Sequence, residues 1–164
     1  MKGFILGIFF TLAAIVAGGF AYFYLGLADV RGDQPSSQLE TYVISTAVHA
    51  SIRHNAPELR SPVPPTDVNL ITGGRMYMEQ CARCHGAPDA ERKTEAAPFL
   101  HEMASQYTES QIFWVAKHGI RWTAMPADPQ DDSDEELWAL AGYIKRTNHL
   151  SQHVKEELAK ASAN

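Results

Sequence analysis

From Phe4 to Ala28 the chain carries no charged side chain, and no other feature of its 164 residues restricts the fold as strongly. In lipid, every backbone polar group must be paired within its own segment, so a lone apolar run can cross a bilayer only as a helix. Twenty-five residues at 1.5 Å each give a helix of roughly 37 Å, enough to span a hydrocarbon core of ~30 Å with some tilt. Cleaved signal peptides have shorter apolar cores, of about 7–15 residues. Gly26-Leu27-Ala28 nevertheless has the small-residue character of a cleavage site, so residues 1–28 read as a transmembrane anchor with a signal peptide as the alternative. Lys2 is the basic residue on the short side, and the positive-inside rule then puts the N-terminus in the cytoplasm and the chain beyond Asp29 outside. Gly3 and Gly7 have the spacing of a helix-packing pair, although glycine is common in membrane helices in any case.

The remainder has the composition of a globular chain. Hydrophobic residues make up 45% and charged residues 20% of the whole, which excludes a largely disordered or collagen-like protein. A formal charge of -5 argues against a nucleic-acid partner. Residues 29–65 form a linker. Gly32 and Pro35 break its first stretch, and a helix is expected over about 37–54. That helix carries two apolar stripes, Leu39, Val43, Ala47 and Ala50 on one and Ile44, Val48 and Ile52 on the other. They imply either contacts on two sides or one docked side and one loosely covered. Pro57, Pro62, Pro64 and Pro65 then make a semi-rigid extended spacer. The compact domain is expected over 66–148, followed by a C-terminal tail over 149–164 that reads as a short polar helix fraying at 161–164.

Within that domain stands Cys81-Ala82-Arg83-Cys84-His85. Two thiols three positions apart on one helical turn can reach both vinyl groups of one porphyrin, and the next residue places an imidazole under the iron. This is the attachment signature of c-type haem. With two cysteines and seven histidines in the chain, a shuffled sequence would show it only about once in two thousand tries, so the false-positive risk is small. A thioredoxin-type dithiol would need a βαβ setting, for which no β-branched run speaks. A zinc site of four thiolates would need a second cysteine pair, and two cysteines cannot build a disulfide framework.

Residues Asn69 to Asn148 resemble the small bacterial cytochrome c family. Gly73 and Tyr77 lie eight and four residues before the first haem cysteine, and Leu140-Ala141-Gly142-Tyr143-Ile144-Lys145 matches the closing helix. The resemblance implies an all-α domain of about four helices around one haem, its two terminal helices crossing where the glycine lets the backbones approach. A helix-interior glycine costs up to ~1 kcal/mol against alanine, so a packing reason is expected at Gly73. Ala97-Pro98-Phe99-Leu100 looks like the family's proline segment, with Ala97 where a glycine is usual. By resemblance, the Pro98 carbonyl accepts the Nδ1–H of His85 and leaves Nε2 for iron, as carbonyls do for metal-bound histidines generally.

The family's distal signature is a methionine followed by proline after a glycine-bearing turn. His118-Gly119-Ile120-Arg121-Trp122-Thr123-Ala124-Met125-Pro126 fits it and makes Met125 the expected sixth ligand. Met76 and Met78 lie too close to Cys81 to wrap around the iron, and Met103 follows His85 by only eighteen residues. Bis-histidine ligation is the alternative. His118 reads as structural, on the last turn of a helix opened by the capping pair Thr108 and Gln111 and closed by Gly119. His49, His54, His101, His149 and His153 show no ligand spacing and read as surface residues. Arg121 and Trp122 read equally well as haem-propionate contacts and as ordinary surface and packing residues. Asp128, Asp131, Asp132, Asp134, Glu135 and Glu136 cluster after Met125. Ser133 with Glu136 reads as a second capping box, and a docking face for a basic partner is the alternative.

The expectation is therefore an all-α chain with one transmembrane helix, a linker helix and a cytochrome c-like domain. It carries one haem c, covalent through Cys81 and Cys84, with His85 and Met125 on the iron and Pro98 behind His85. The function implied is single-electron transfer by a cytochrome of the bacterial inner membrane, single-pass with its haem domain in the periplasm. Its partners are redox proteins in or at the membrane, and it is an electron carrier rather than an enzyme. The main alternative is the cytochrome subunit of a larger dehydrogenase or terminal reductase. A gas sensor would need a signalling module, and a peroxidase a polar distal group, for which only His118 is at hand.

Overall fold

The computed structural model describes residues 2–31, 34–88, 97–121, 123–128 and 132–162, and among these the regular elements are all helical. Gly32, Trp122, Asp131, Ala163, Asn164 and the side chain of His101 lie outside the described residues. The chain divides into two compact units, residues 1–41 and 42–164.

The first unit holds α1, Lys2–Tyr24, whose residues are all exposed. Among the described residues it is the helix long and apolar enough to cross a membrane, a property that signal sequences share. It stops four residues short of the end of the apolar run. Gly26 takes φ +68°, Leu27 N–H donates to Tyr22 O at 3.1 Å, and Gly26 N–H donates to Phe23 O at 3.1 Å. This is a Schellman closure, and only glycine adopts its left-handed residue without strain. The linker helix α2, Gln38–Asn55, opens with a reciprocal cap: Ser37 N–H donates to the Glu40 carboxylate at 2.7 Å, and Glu40 N–H donates to Ser37 Oγ at 3.3 Å.

In the second unit, the last turns of α2 dock through Ile52, only 2% exposed, while Val43 and Ile44 remain exposed. One apolar side is thus covered at its C-terminal end and the other is not. Next comes α3, Asp67–Met76, capped by the Thr66 hydroxyl on Asn69 N–H. The central element is α7, Asp134–Arg146, buried continuously from Leu137 to Ile144. It begins at the expected Ser133–Glu136 capping box. The crossing of α3 on α7 stands on Gly73, where an added Cβ would run into the Ala139 carbonyl and lie 2.7 Å from Leu140 N. Both obstacles are backbone and cannot turn aside. Gly73→Ala should therefore destabilise the domain by about 3 kcal/mol, the upper end of ordinary overpacking, read as a lower urea midpoint with an unchanged m-value. At Gly74 the obstacle is the movable side chain of Leu158, so Gly74→Ala should cost less.

Two shorter helices complete the core. α5, Leu100–Gln106, and α6, Glu109–His118, both pack on α7. Phe113 of α6 stacks on Trp138 of α7 at a centroid distance of 4.2 Å, and Arg146 bridges to Glu109 at 2.9 Å. The last helix, α8, Gln152–Ser162, falls in the segment expected as a short polar helix, and it packs on α3. Val154 is fully buried, Leu158 is 9% exposed, and the Ser151 hydroxyl reaches the Asp67 carboxylate at 3.2 Å.

Candidate haem site

After α3 the helix widens into a π turn over Tyr77–Cys81 and then continues as α4, Ala82–His85. Such turns place one extra residue in the helical path and gather at functional sites. Here the turn hands over directly to the two cysteines and the histidine. It is pinned by Tyr77, a fully buried side chain whose hydroxyl donates to Gly86 O at 2.7 Å. Gly86, at φ +80°, turns the chain away immediately after His85.

Cys81 and Cys84 are free thiols of intermediate burial. Burial pushes the Cys81 thiol up to about 12, with Asp132 and Cys84 adding to it. Redox dithiols and thiolate metal ligands need the opposite, a lowered thiol value. The His85 ring has Nδ1 at 2.9 Å from Pro98 O. A carbonyl can only accept, so Nδ1 carries the proton and the Nε2 lone pair is left for another partner. The structure thereby brings together His85 and Pro98, thirteen residues apart.

Met125 is carried on a different support, the loop after α6. The Thr108 and Gln111 capping box opens α6 as expected, and Gly119 closes it at φ +63°. A side chain at 119 would be strained by that φ and would also meet Pro126 O at 2.7 Å. The loop is closed on itself: Ile120 N–H donates to Met125 O at 3.1 Å, and Met125 N–H donates to Thr123 Oγ1 at 3.1 Å. Asp128 N–H then returns to Ala116 O at 3.2 Å. Met76 is buried in the hydrophobic core, and Met78 and Met103 are partly buried against it. His118 is exposed, its ring 5.0 Å from that of Trp114.

Three members of the acidic cluster have local partners. Asp132 accepts from Gln80 at 3.0 Å, Asp134 pairs with Lys117, and Glu136 caps α7, its carboxyl lowered by the Ser133 hydrogen bonds. Arg121 is exposed. One expectation fails in this region. His49 is not a plain surface residue, because its Nδ1 is hydrogen-bonded to the Tyr107 hydroxyl at 2.9 Å and its ring stacks on that tyrosine.

Two thiols three positions apart, an imidazole whose Nδ1 is held by a carbonyl and a thioether on a separate closed loop are the donor types that a haem bound through two thioethers takes. Residues 69–144 match the family described as cytochrome C oxidase, cbb3-type, subunit III. No solved structure matches the chain. Because the Cys81-to-His85 turn and the Gly73 crossing both fall inside the matched span, residues 69–144 are a domain of the cytochrome c family, whose work is haem-based electron transfer.

Proposed function

We propose that the protein is a membrane-anchored monohaem c-type cytochrome that passes single electrons, with its haem domain on the periplasmic side of a bacterial inner membrane. In this reading Cys81 and Cys84 would hold the haem through thioethers, and His85 Nε2 and Met125 Sδ would bind its iron. Pro98 fixes the His85 ring. The observation that carries the reading is the 2.9 Å contact between His85 Nδ1 and Pro98 O, which sets the tautomer a metal-bound imidazole requires. Bound there, haem c supplies a one-electron Fe(III)/Fe(II) couple, and two protein ligands leave no coordination position for a substrate. The protein accordingly carries electrons and makes no chemistry of its own.

The matched family is described as an oxidase subunit. This favours a subunit of a larger membrane complex over a free carrier. Detergent extraction of the native protein followed by sizing decides it. Elution with other membrane proteins at constant stoichiometry supports the subunit reading, and elution at the mass of the 18.1 kDa chain plus detergent supports the carrier.

The anchor has its own test. If α1 stays on the mature protein, the native N-terminus is Met1 or Lys2 and the protein stays with membranes at high salt. Salt screens charge over ~10 Å at 0.1 M but leaves apolar burial intact, so salt resistance separates an inserted helix from adsorption. A protein beginning at Asp33, exported by a foreign signal, should be soluble and keep its haem. A native N-terminus at Asp29 would instead make residues 1–28 a signal peptide and the product a soluble periplasmic protein.

A further inference from the structure

The short helix α5 connects two anchoring points. At its start, Pro98 O faces His85 Nδ1 and Phe99 N–H donates to the Glu102 carboxylate at 2.9 Å. At its end, Lys145 Nζ donates to Ala104 O at 2.7 Å and to Tyr107 O at 2.8 Å. Leu100 and Ala104 are 4% and 6% exposed, so the helix is clamped into the core along its length. Seven residues make a rod of about 10 Å, too short to absorb a displacement by bending. The Tyr107 side chain leaves this rod for α2. Its hydroxyl is hydrogen-bonded to His49 Nδ1 at 2.9 Å, and the rings stack at 5.6 Å with 23° between their planes. His49 lies outside the matched family span, so this contact belongs to the linker helix and not to the cytochrome domain. Burial holds the Tyr107 phenol above its ordinary range against the opposing charge of Arg53, so the phenol keeps its proton.

We propose that Tyr107, held by His49 of the linker helix, is a positioning residue for His85. Through α5 it fixes the Pro98 carbonyl that orients the imidazole, so that docking of the linker tunes the redox centre. The inference rests on His85 being the axial ligand. A shift of about 0.6 Å at Pro98 would take the 2.9 Å contact to the outer limit of a hydrogen bond. A carbonyl on Nδ1–H raises the basicity of the metal-bound nitrogen and favours Fe(III). Loosening it favours Fe(II).

The test uses the full-length haem-loaded protein. At the midpoint potential of the parent, His49→Ala and Tyr107→Phe should each raise the Fe(II)/Fe(III) ratio about threefold, which is about 28 mV at 59 mV per tenfold. In the reduced protein, exchange of the His85 Nδ1–H should become about tenfold faster. His49→Asn, which offers an acceptor near the place of Nδ1, should restore both readouts. Ser110→Ala removes another polar tie of the linker, the bond from the Ser110 hydroxyl to Pro57 O, without touching α5, and should leave both readouts at parent values. Tyr107→Phe keeps the stacked ring and serves if His49→Ala does not fold. Unchanged ratio and exchange in haem-bearing Tyr107→Phe would overturn the proposal, as would an equal shift in Ser110→Ala. A parent protein without covalent haem fails differently, because it removes the assignment of His85 beneath the proposal.

Discussion

A double variant, Cys81→Ala with Cys84→Ala, should lose all haem-dependent peroxidase staining on a denaturing gel, while the parent keeps it. The loss is expected to be complete because these are the chain's two cysteines and no third thiol can take over. It should also separate attachment from folding. The core that surrounds the motif is built chiefly by Leu70, Met76, Tyr77, Trp138, Leu140 and Tyr143, and Cys81 is only partly buried against it. The Tyr77 hydroxyl on Gly86 O holds the turn through a backbone carbonyl, which the substitutions leave in place. Each single variant should retain one thioether, seen in the pyridine haemochrome spectrum as a red shift from the parent, since one vinyl group stays unsaturated. Extraction of the parent's haem into acid acetone would overturn the covalent assignment. So would staining that survives in the double variant.

What the sequence made legible was whatever depends on neighbours in the chain. Helix α6 could be bounded at both ends because Thr108 and Gln111 close a cap three residues apart and Gly119 supplies a positive φ. The start of α7 followed from Ser133 and Glu136 for the same reason. The role of Gly73 could also be anticipated, because a glycine inside a helix needs a steric reason, and the Ala139 carbonyl is that reason. The link from His85 to Pro98 came from the family resemblance, since nothing local in the sequence joins two residues thirteen apart. Contacts at long range without a motif stayed hidden. His49 and Tyr107 are 58 residues apart, and a half-buried histidine has the same local sequence as an exposed one. Docking of α8 rests on Val154 and Leu158, one i, i+4 pair in an otherwise polar segment. Two apolar residues are too short a pattern to separate a packed helix from a solvated one. The π turn was hidden too, because it changes backbone path without changing residue type.

Replacing Met125 should have the largest effect on the couple without removing the haem. The oxidised parent should show the weak absorption near the red end that accompanies Fe(III)–sulfur bonding, and Met125→Ala should abolish it. Met125→His should keep six-coordinate iron but lower the midpoint potential, by a sizeable part of the ~0.8 V that axial ligation spans. The direction follows from the ligand. A thioether stabilises Fe(II) relative to a second imidazole, so exchanging sulfur for nitrogen favours Fe(III). The loop is suited to the test because its shape does not rest on the side chain removed. Gly119 sets the turn, Ile120 N–H holds Met125 O, Thr123 Oγ1 takes Met125 N–H, and Asp128 N–H closes onto α6. All four are backbone features or belong to other residues, so a spectral change reports ligation and not collapse of the loop. If the sulfur band survived in Met125→Ala, another thioether would have to reach the iron. Met76 would have to leave the core for that, at a cost of roughly 1.5–3 kcal/mol for re-exposing a buried side chain, and Met78 and Met103 would have to give up their partial packing against it. If the parent lacked the band altogether, His118, exposed on the last turn of α6, would become the first candidate. His118→Ala would then change the spectrum where Met125→Ala does not.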